Sequence, residues 1–364
     1  MGNTPKKLLI AASGTGGHLF PAIATAEALD DFEIEWLGVA TRLENQLVPK
    51  SYPLNIINVE GFQSGFGLGT VRTMVRLGIA IAQVRSLLKS GGFSGVFTTG
   101  GYIAAPAILA ARLLGLPTIL HESNAIPGKV TRWLSRWCSV VAVGFDAAIP
   151  YLPHAYCQSV GTPVRSQFLD SQGSTSLGDL GVPDGVPLIV VVGGSQGAVA
   201  VNQLVREAAP AWFDAGAWVV HLTGTNDPDA DALQHPHYVA KPFYDDMATL
   251  LRRADLTVSR AGAGTLTELA MTHTPSILIP YPFAAEDHQT FNGKVFVDAN
   301  AARLYQQADL TADQLKQSVL DLLDNPDQRQ AMAHAAGHLA VENSADQLAE
   351  LVRRAIADPE AFKR

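Results

Sequence analysis

The stretch "IAASGTGGHLFPA", residues 10–22, runs from small apolar residues into a glycine-rich turn holding one histidine and one proline. A second passage of the same kind, "IVVVGGSQGA", occupies residues 189–198. Each reads as strand, glycine turn and helix, so the chain repeats one α/β plan in its two halves. Around the first lie "KKLLIAAS", a helix through "PAIATAEALDD", then "EIEWLGVA", "SGVFTTGG", "PTILHES", "CSVVAVGF" and "AYCQSVG". Around the second lie "WVVHLTG", "HYVAKPF", "LTVSRAG" and "PSILIPYP". These strands are continuous Val/Ile/Leu runs rather than alternating ones, the mark of parallel sheets covered on both faces. The expectation is an α/β protein of two Rossmann-like, doubly wound parallel-sheet domains facing a cleft. Ligands should then sit beyond the carboxyl ends of the strands, where the polar loops lie.

The 364 residues exceed one ordinary core and suit two domains. The Ser-, Gly- and Asp-rich segment 168–187 reads as the linker. Capping boxes open two late helices, Thr311 with Gln314 and Ser344 with Gln347. Two cysteines, Cys138 and Cys157, cannot form a disulfide framework and fit a reducing cytoplasm. The apolar run near the start is too short for a signal peptide, and Lys6 stands where myristoylation needs Ser or Thr. The longest span candidate, residues 102–120, contains Arg112 and reads as a helix stopped by Gly115 and then a strand.

A net charge of −8 argues against nucleic acid as a partner. The charge is uneven: residues 1–160 hold 12 Lys+Arg and 9 Asp+Glu, a net of +3, which leaves −11 for the rest. Within 71–136, Arg72, Arg76, Arg85, Lys89, Arg112, Lys129, Arg132 and Arg136 face one acid, Glu122. Residues 72–89 place basic pairs at i, i+4 beside Met74, Leu77, Ile79 and Ile81. With 129–137 they make a basic, apolar face suited to an anionic bilayer, or a solvated helix over the core.

Four polar loops follow strands. In the first, Gly14-Thr15-Gly16-Gly17-His18-Leu19 lacks the third glycine of a dinucleotide fingerprint, and Glu35 precedes rather than follows the next strand end. His18 is the titratable side chain of that turn, a candidate base or a helix-start residue. The second, Gly193-Gly194-Ser195-Gln196-Gly197-Ala198, suits a diphosphate at a helix start and is not a Walker loop. The third, residues 259–294, presents Glu268 at a helix start, for a ribose diol or for the helix dipole, then Asp287, His288, Gln289 and Asn292. The fourth is residues 121–128, "HESNAIPG". There is no HExxH, CxxC or GxSxG, and "DPDAD" at 227–231 reads as a solvated loop or helix-starting acids rather than a metal site.

In order and spacing, "GTGGHLFPA", "HESNAIPG", "GTPVR", "GGSQGA", "RAGAGTLTE" and "DHQTFN" resemble the MurG family. Its members move N-acetylglucosamine (GlcNAc) from UDP-GlcNAc to the undecaprenyl-linked lipid I, making lipid II for peptidoglycan. Gly293 stands where the family usually has alanine. The resemblance implies a GT-B fold with domains 1–165 and 166–340, and a helix at 341–364 returning to the first. It implies UDP-GlcNAc contacts at Thr15, Gly16, Gly17, Asn124, Arg165, Ser195, Gln196, Tyr244, Arg260, Glu268 and Gln289, with uracil read near Phe243 and Tyr244. It implies His18 as catalytic base, with Glu122 and Asp287 as rivals, no metal and no cofactor, and a peripheral place on the cytoplasmic face of the inner membrane. Rivals from other classes are a UDP-GlcNAc epimerase, a non-catalytic nucleotide-sugar sensor and a related transferase with another lipid acceptor.

Overall fold

The structure is a computed structural model; it describes residues 5–40, 42–59, 68–170, 173–194 and 198–362. The chain divides into two compact units, 1–165 together with 343–364, and 166–342.

The first unit contains strands β1 (Lys6–Ala11), β2 (Phe32–Gly38), β3 (Leu54–Ile56), β4 (Gly95–Thr98), β5 (Thr118–Glu122), β6 (Val140–Val143) and β7 (Cys157–Ser159). Its helices are α1 (Gly16–Glu27), α2 (Glu44–Leu47), α3 (Leu68–Gly91), α4 (Ala104–Leu114) and α5 (Lys129–Leu134). The strands form one parallel sheet in the order β3-β2-β1-β4-β5-β6-β7. Alternation along β1 shows why its apolar run is continuous. Leu8 and Ile10 point into one buried layer with Leu19, Ala22 and Trp36, while Leu9 and Ala11 point into the other with Val84, Leu88 and Ala107.

The second unit contains β8 (Leu188–Val192), α6 (Val199–Asp214), β9 (Trp218–Leu222), β10 (Tyr238–Lys241), α7 (Met247–Arg253), β11 (Leu256–Ser259), α8 (Ala263–Met271), β12 (Ser276–Leu278), α9 (His288–Asp298), β13 (Ala302–Leu304), α10 (Ala312–Leu323) and α11 (Pro326–Gly337). Its parallel sheet runs β10-β9-β8-β11-β12-β13. The last helix, α12 (Ser344–Ala357), belongs to the first unit. Leu348, Leu351, Val352 and Ala355 join the β1–α1 layer, the two leucines and the valine each adding about 1.5–3 kcal/mol when fully buried. Arg353 ties the helix down with two nitrogens on the Asp31 carboxylate, 2.7 and 3.1 Å, and a bond to the Ala28 carbonyl.

Four local expectations need correction. Helix α1 begins at Gly16, ahead of Pro21, because the first turn closes on the Thr15 carbonyl and the proline forfeits one later bond only. The Ser344 box does not form: Ser344 is the first helical residue, Asn343 is the cap, and Gln347 Nε2 donates to Asn343 Oδ1 at 2.7 Å. Thr311 and Gln314 do form theirs. Segment 168–187, expected between the domains, falls within the second unit, where Arg252 donates to the Asp170 carbonyl and Arg253 to the Val186 carbonyl. Leu77 and Ile81 turn partly inward from the basic face, Ile81 onto the α4-side core, while Met74, Val75 and Ile79 stay exposed. No helix among the described residues is long and apolar enough to cross a membrane.

Candidate functional site

In the first sheet the strand order reverses between β1 and β4, so the loops leaving these neighbours part to opposite sides and open a crevice. The glycine turn after β1 carries Thr15, Gly16, Gly17 and His18 to that point. The loop after β4 brings Thr99, Gly100 and Gly101. His18 Nδ1 lies 2.7 Å from the Thr99 carbonyl oxygen, and Thr99 Oγ1 donates to the His18 carbonyl at 3.0 Å. A carbonyl oxygen only accepts, so Nδ1 carries the proton and Nε2 keeps its lone pair. Gly101 has φ +72°, and a methyl group there would stand 3.8 Å from Nε2. The positive φ is what asks for glycine there, since that methyl would only touch the ring in ordinary contact.

Neighbouring groups have structural duties. Glu122, buried, accepts from Asn124 N, Asn124 Nδ2 and Gly128 N at 3.0–3.2 Å, which holds the 121–128 loop closed. One Asn124 amide hydrogen is thereby engaged with Glu122. His121 Nε2 donates to the Gly161 carbonyl at 2.9 Å, and burial lowers its pKa. Arg165 stacks on Phe20 of α1, 4.7 Å from the ring centre.

The second sheet reverses between β8 and β11. Ser195, Gln196 and Gly197, after β8, lie outside the described residues. After β11, Arg260 is 7% exposed; its guanidinium donates to the carbonyls of Ile279 and Pro280 at 3.0 Å and to Gln307 Oε1 at 2.6 Å. Burial lowers its pKa to about 10, so it stays cationic, 5.5 Å from the Tyr281 ring centre. Gln289 Oε1 accepts from Ala261 N at 3.2 Å and Tyr281 N at 2.9 Å, which leaves its Nε2 hydrogens as the donor capacity of that side chain. Glu268 is the sixth residue of α8, a turn beyond the expected helix start, so the helix dipole does not account for it. Asp287 has φ +54° and accepts from Thr290 Oγ1 at 2.7 Å. Tyr244 donates to Asp179 at 3.0 Å, and burial together with that carboxylate raises its pKa to about 12. Beside it a cavity of about 540 Å³, lined by Asp179, Lys241, Phe243, Tyr244 and Thr249, falls within the size range of ligand sites.

"DPDAD" is neither solvated nor helix-starting at its first acid. Arg206 and Asn202 of α6 both reach Asp227 Oδ2 at 2.7 Å. Asn202 Nδ2 also donates to the Thr223 carbonyl, so its Oδ1 must accept from His221 Nε2, 2.9 Å away. His221 Nδ1 then accepts from the Tyr238 hydroxyl at 2.8 Å. Burial, aided by the nearby Arg206 charge, lowers the His221 pKa to about 3. The folded state prefers neutral His221, so its stabilisation is full above the ordinary value of 6.5 and declines as pH falls towards 3. Asp227 acts in the same sense lower down. Burial opposes its charge, but the Arg206 and Asn202 bonds prevail and hold its pKa below the ordinary 3.8. The melting temperature of the second unit should therefore drop between about pH 7 and about pH 4.5. His221→Gln should flatten that drop; the same slope in both proteins would refute the assignment.

The sequence matches the glycosyltransferase family 28 N-terminal domain over residues 8–143 and the family 28 C-terminal domain over 188–350. A relative from Nostoc punctiforme, named UDP-N-acetylglucosamine--N-acetylmuramyl-(pentapeptide) pyrophosphoryl-undecaprenol N-acetylglucosamine transferase, is 63% identical over 356 residues. That match covers 98% of this chain and 99% of the relative. The chain belongs to the MurG family. A member of the same name from Trichormus variabilis is 64% identical over 356 residues, with the same coverage. The crystal structure of Acinetobacter baumannii MurG superposes with a TM-score of 0.79 at 32% identity, covering 96% of this chain and all of that one. Membership makes the chain a glycosyltransferase with the GT-B fold of two Rossmann-like domains.

The Thr99-Gly100-Gly101 loop that engages His18 is not expected from the sequence, where "SGVFTTGG" reads as a strand and its end. A strand closing on two glycines, placed beside β1 by the usual strand order, was the signal.

Proposed function

We propose that this chain transfers GlcNAc from UDP-GlcNAc to the C4 hydroxyl of the N-acetylmuramyl sugar of lipid I, with inversion at the anomeric carbon. The substrates are those in the relatives' names. The observation that carries the mechanism is the His18–Thr99 pair, which leaves Nε2 as the acceptor of a proton. The C4 oxygen forms its bond to the anomeric carbon as its proton passes to Nε2. The bond from that carbon to the diphosphate oxygen breaks on the opposite face, and UDP departs with the electron pair. The loop after β8 and the first amides of α6 offset the charge on the departing diphosphate, with Ser195 and Gln196 as side-chain contacts. Glu268 receives the ribose hydroxyls, Gln289 donates to GlcNAc, and Arg260 braces the strand ends beneath them. Tyr244 and Phe243 border the uracil subsite; Thr15, Gly16, Gly17, Asn124 and Arg165 complete the donor contacts.

Turnover assays separate this function from its rivals. UDP should be released from UDP-GlcNAc only when a lipid I analogue is present. An isomerised nucleotide sugar without acceptor would mean an epimerase, and binding without UDP release would mean a sensor.

We further propose that the first unit seats on the anionic cytoplasmic leaflet that carries the acceptor. Exposed Met74, Val75 and Ile79 of α3 stand with Arg72, and α5 adds exposed Trp133 and Lys129. Val130 of α5 meets Arg76 and Leu77 of α3 in one small apolar pocket, which makes the two helices a single patch. Each basic residue near such a surface contributes about 1 kcal/mol. Flotation should recover the protein with anionic vesicles and lose it with neutral ones or in high salt; equal recovery from both would refute the electrostatic part.

A further inference from the structure

A buried carboxylate lies beneath the catalytic turn, and the transfer step above does not use it. Glu44 opens α2 and is 1% exposed. Its partners among the described residues are donors without charge. Ser13 Oγ at 2.6 Å and Val39 N at 2.7 Å reach Oε1, and Gly14 N at 3.3 Å reaches Oε2. A carboxyl group taken out of water needs hydrogen-bond donors, and these three supply them. A glutamine of the same shape would keep an oxygen for Ser13 and Val39 but turn its NH₂ against the Gly14 N–H. Gly14 itself has φ +111°, a backbone conformation closed to most residues, so its N–H direction depends on what receives it.

The rest of the turn is pinned in the same way. Thr98 Oγ1 donates to the Ala11 carbonyl at 2.7 Å, and Trp36 Nε1 to the Ala12 carbonyl at 2.8 Å. Glu44 takes the next two residues, Ser13 and Gly14. Thr15 follows, and its carbonyl accepts the His18 N–H at 3.0 Å to start α1. The imidazole is thus fixed from two directions, by Thr99 at Nδ1 and by the turn at its backbone. In a dinucleotide-binding fold an acid after the second strand reads the ribose. Here the acid beyond β2 faces inward and holds the turn instead.

We infer that Glu44 is a positioning residue for glycosyl transfer: its carboxylate fixes the Ser13–Gly14 turn and so sets where His18 Nε2 meets the acceptor hydroxyl. The inference rests on His18 being the base. The test measures kcat, both KM values, UDP-GlcNAc binding and the melting temperature for Glu44→Gln and Ser13→Ala, each alone and combined with His18→Ala. Glu44→Gln should lower kcat roughly tenfold to hundredfold, the scale on which a misplaced catalytic group acts, with the donor KM within about twofold. On the His18→Ala background it should lower kcat no further, because the group it positions is gone. Ser13→Ala should act in the same direction with a smaller effect, and it tests the turn should the buried substitution not fold. An equal fractional loss on both backgrounds, or normal kcat in both single variants, overturns the role of Glu44 alone. Full turnover in His18→Ala overturns the base assignment itself, and with it what Glu44 positions.

Discussion

His18→Ala should lower kcat by roughly 10²–10⁴, the usual worth of a general base, or about 3–5 kcal/mol of transition-state free energy. The donor KM should stay within about twofold, because Glu268, Gln289 and the loop after β8 belong to the other unit and the backbone of the Thr15-Gly16-Gly17 turn is retained. His18→Asn refines the result. Its side-chain amide can still donate to the Thr99 carbonyl, which accepts at 2.7 Å in the native protein, yet it has no basic nitrogen. If proton removal is the histidine's task, Asn should be nearly as slow as Ala. If the ring only packs the turn, Asn should recover most of the rate. A His18→Ala enzyme with native kcat would end the assignment.

The second large effect is on stability. Arg206 lies 2.7 Å from Asp227, with side-chain exposures of 9% and 0%. Removing one partner of such a pair strands the other charge in the interior, which costs about 3–5 kcal/mol. Arg206→Met should therefore lower the melting temperature of the second unit by on the order of ten degrees, given about 2–4 °C per kcal/mol for a domain of this size. Most of that loss should return in Arg206→Met/Asp227→Asn, where no charge is left unpaired. Donor binding should weaken in the single variant, since Asn202 links the pair to the start of α6. A melting temperature unchanged in the single variant, or identical losses in single and double, would contradict the account.

The strands and their parallel order were legible because β1 and β8 are apolar on both faces, a pattern only a doubly covered sheet requires. The turn at the first switch point was legible from its glycines, which lead from β1 into α1. What escaped was set by partners distant in sequence. Thr99 meets His18 across 81 residues, and Glu44 meets Ser13 across 31. Asp227 looked solvated because Arg206, which removes it from water, sits 21 residues earlier on another element. The start of α1 was misplaced for a local reason. Glycine and proline read as breakers, yet the glycines fall in the first turn, whose N–H groups lack the regular helical partner, and Pro21, the sixth helical residue, forfeits one bond only. Ser344 misled in a similar way: it is the first helical residue, and Asn343 takes the cap position with its Oδ1 accepting from Gln347 Nε2.

The central claim is inverting transfer of GlcNAc onto a lipid-linked muramyl acceptor in one displacement. The most direct measurement is the anomeric configuration of the sugar linkage formed from UDP-GlcNAc and a lipid I analogue, read by proton NMR. The account predicts a β linkage to the C4 oxygen with one UDP released per disaccharide. An α linkage, or UDP released at the same rate without acceptor, would contradict it.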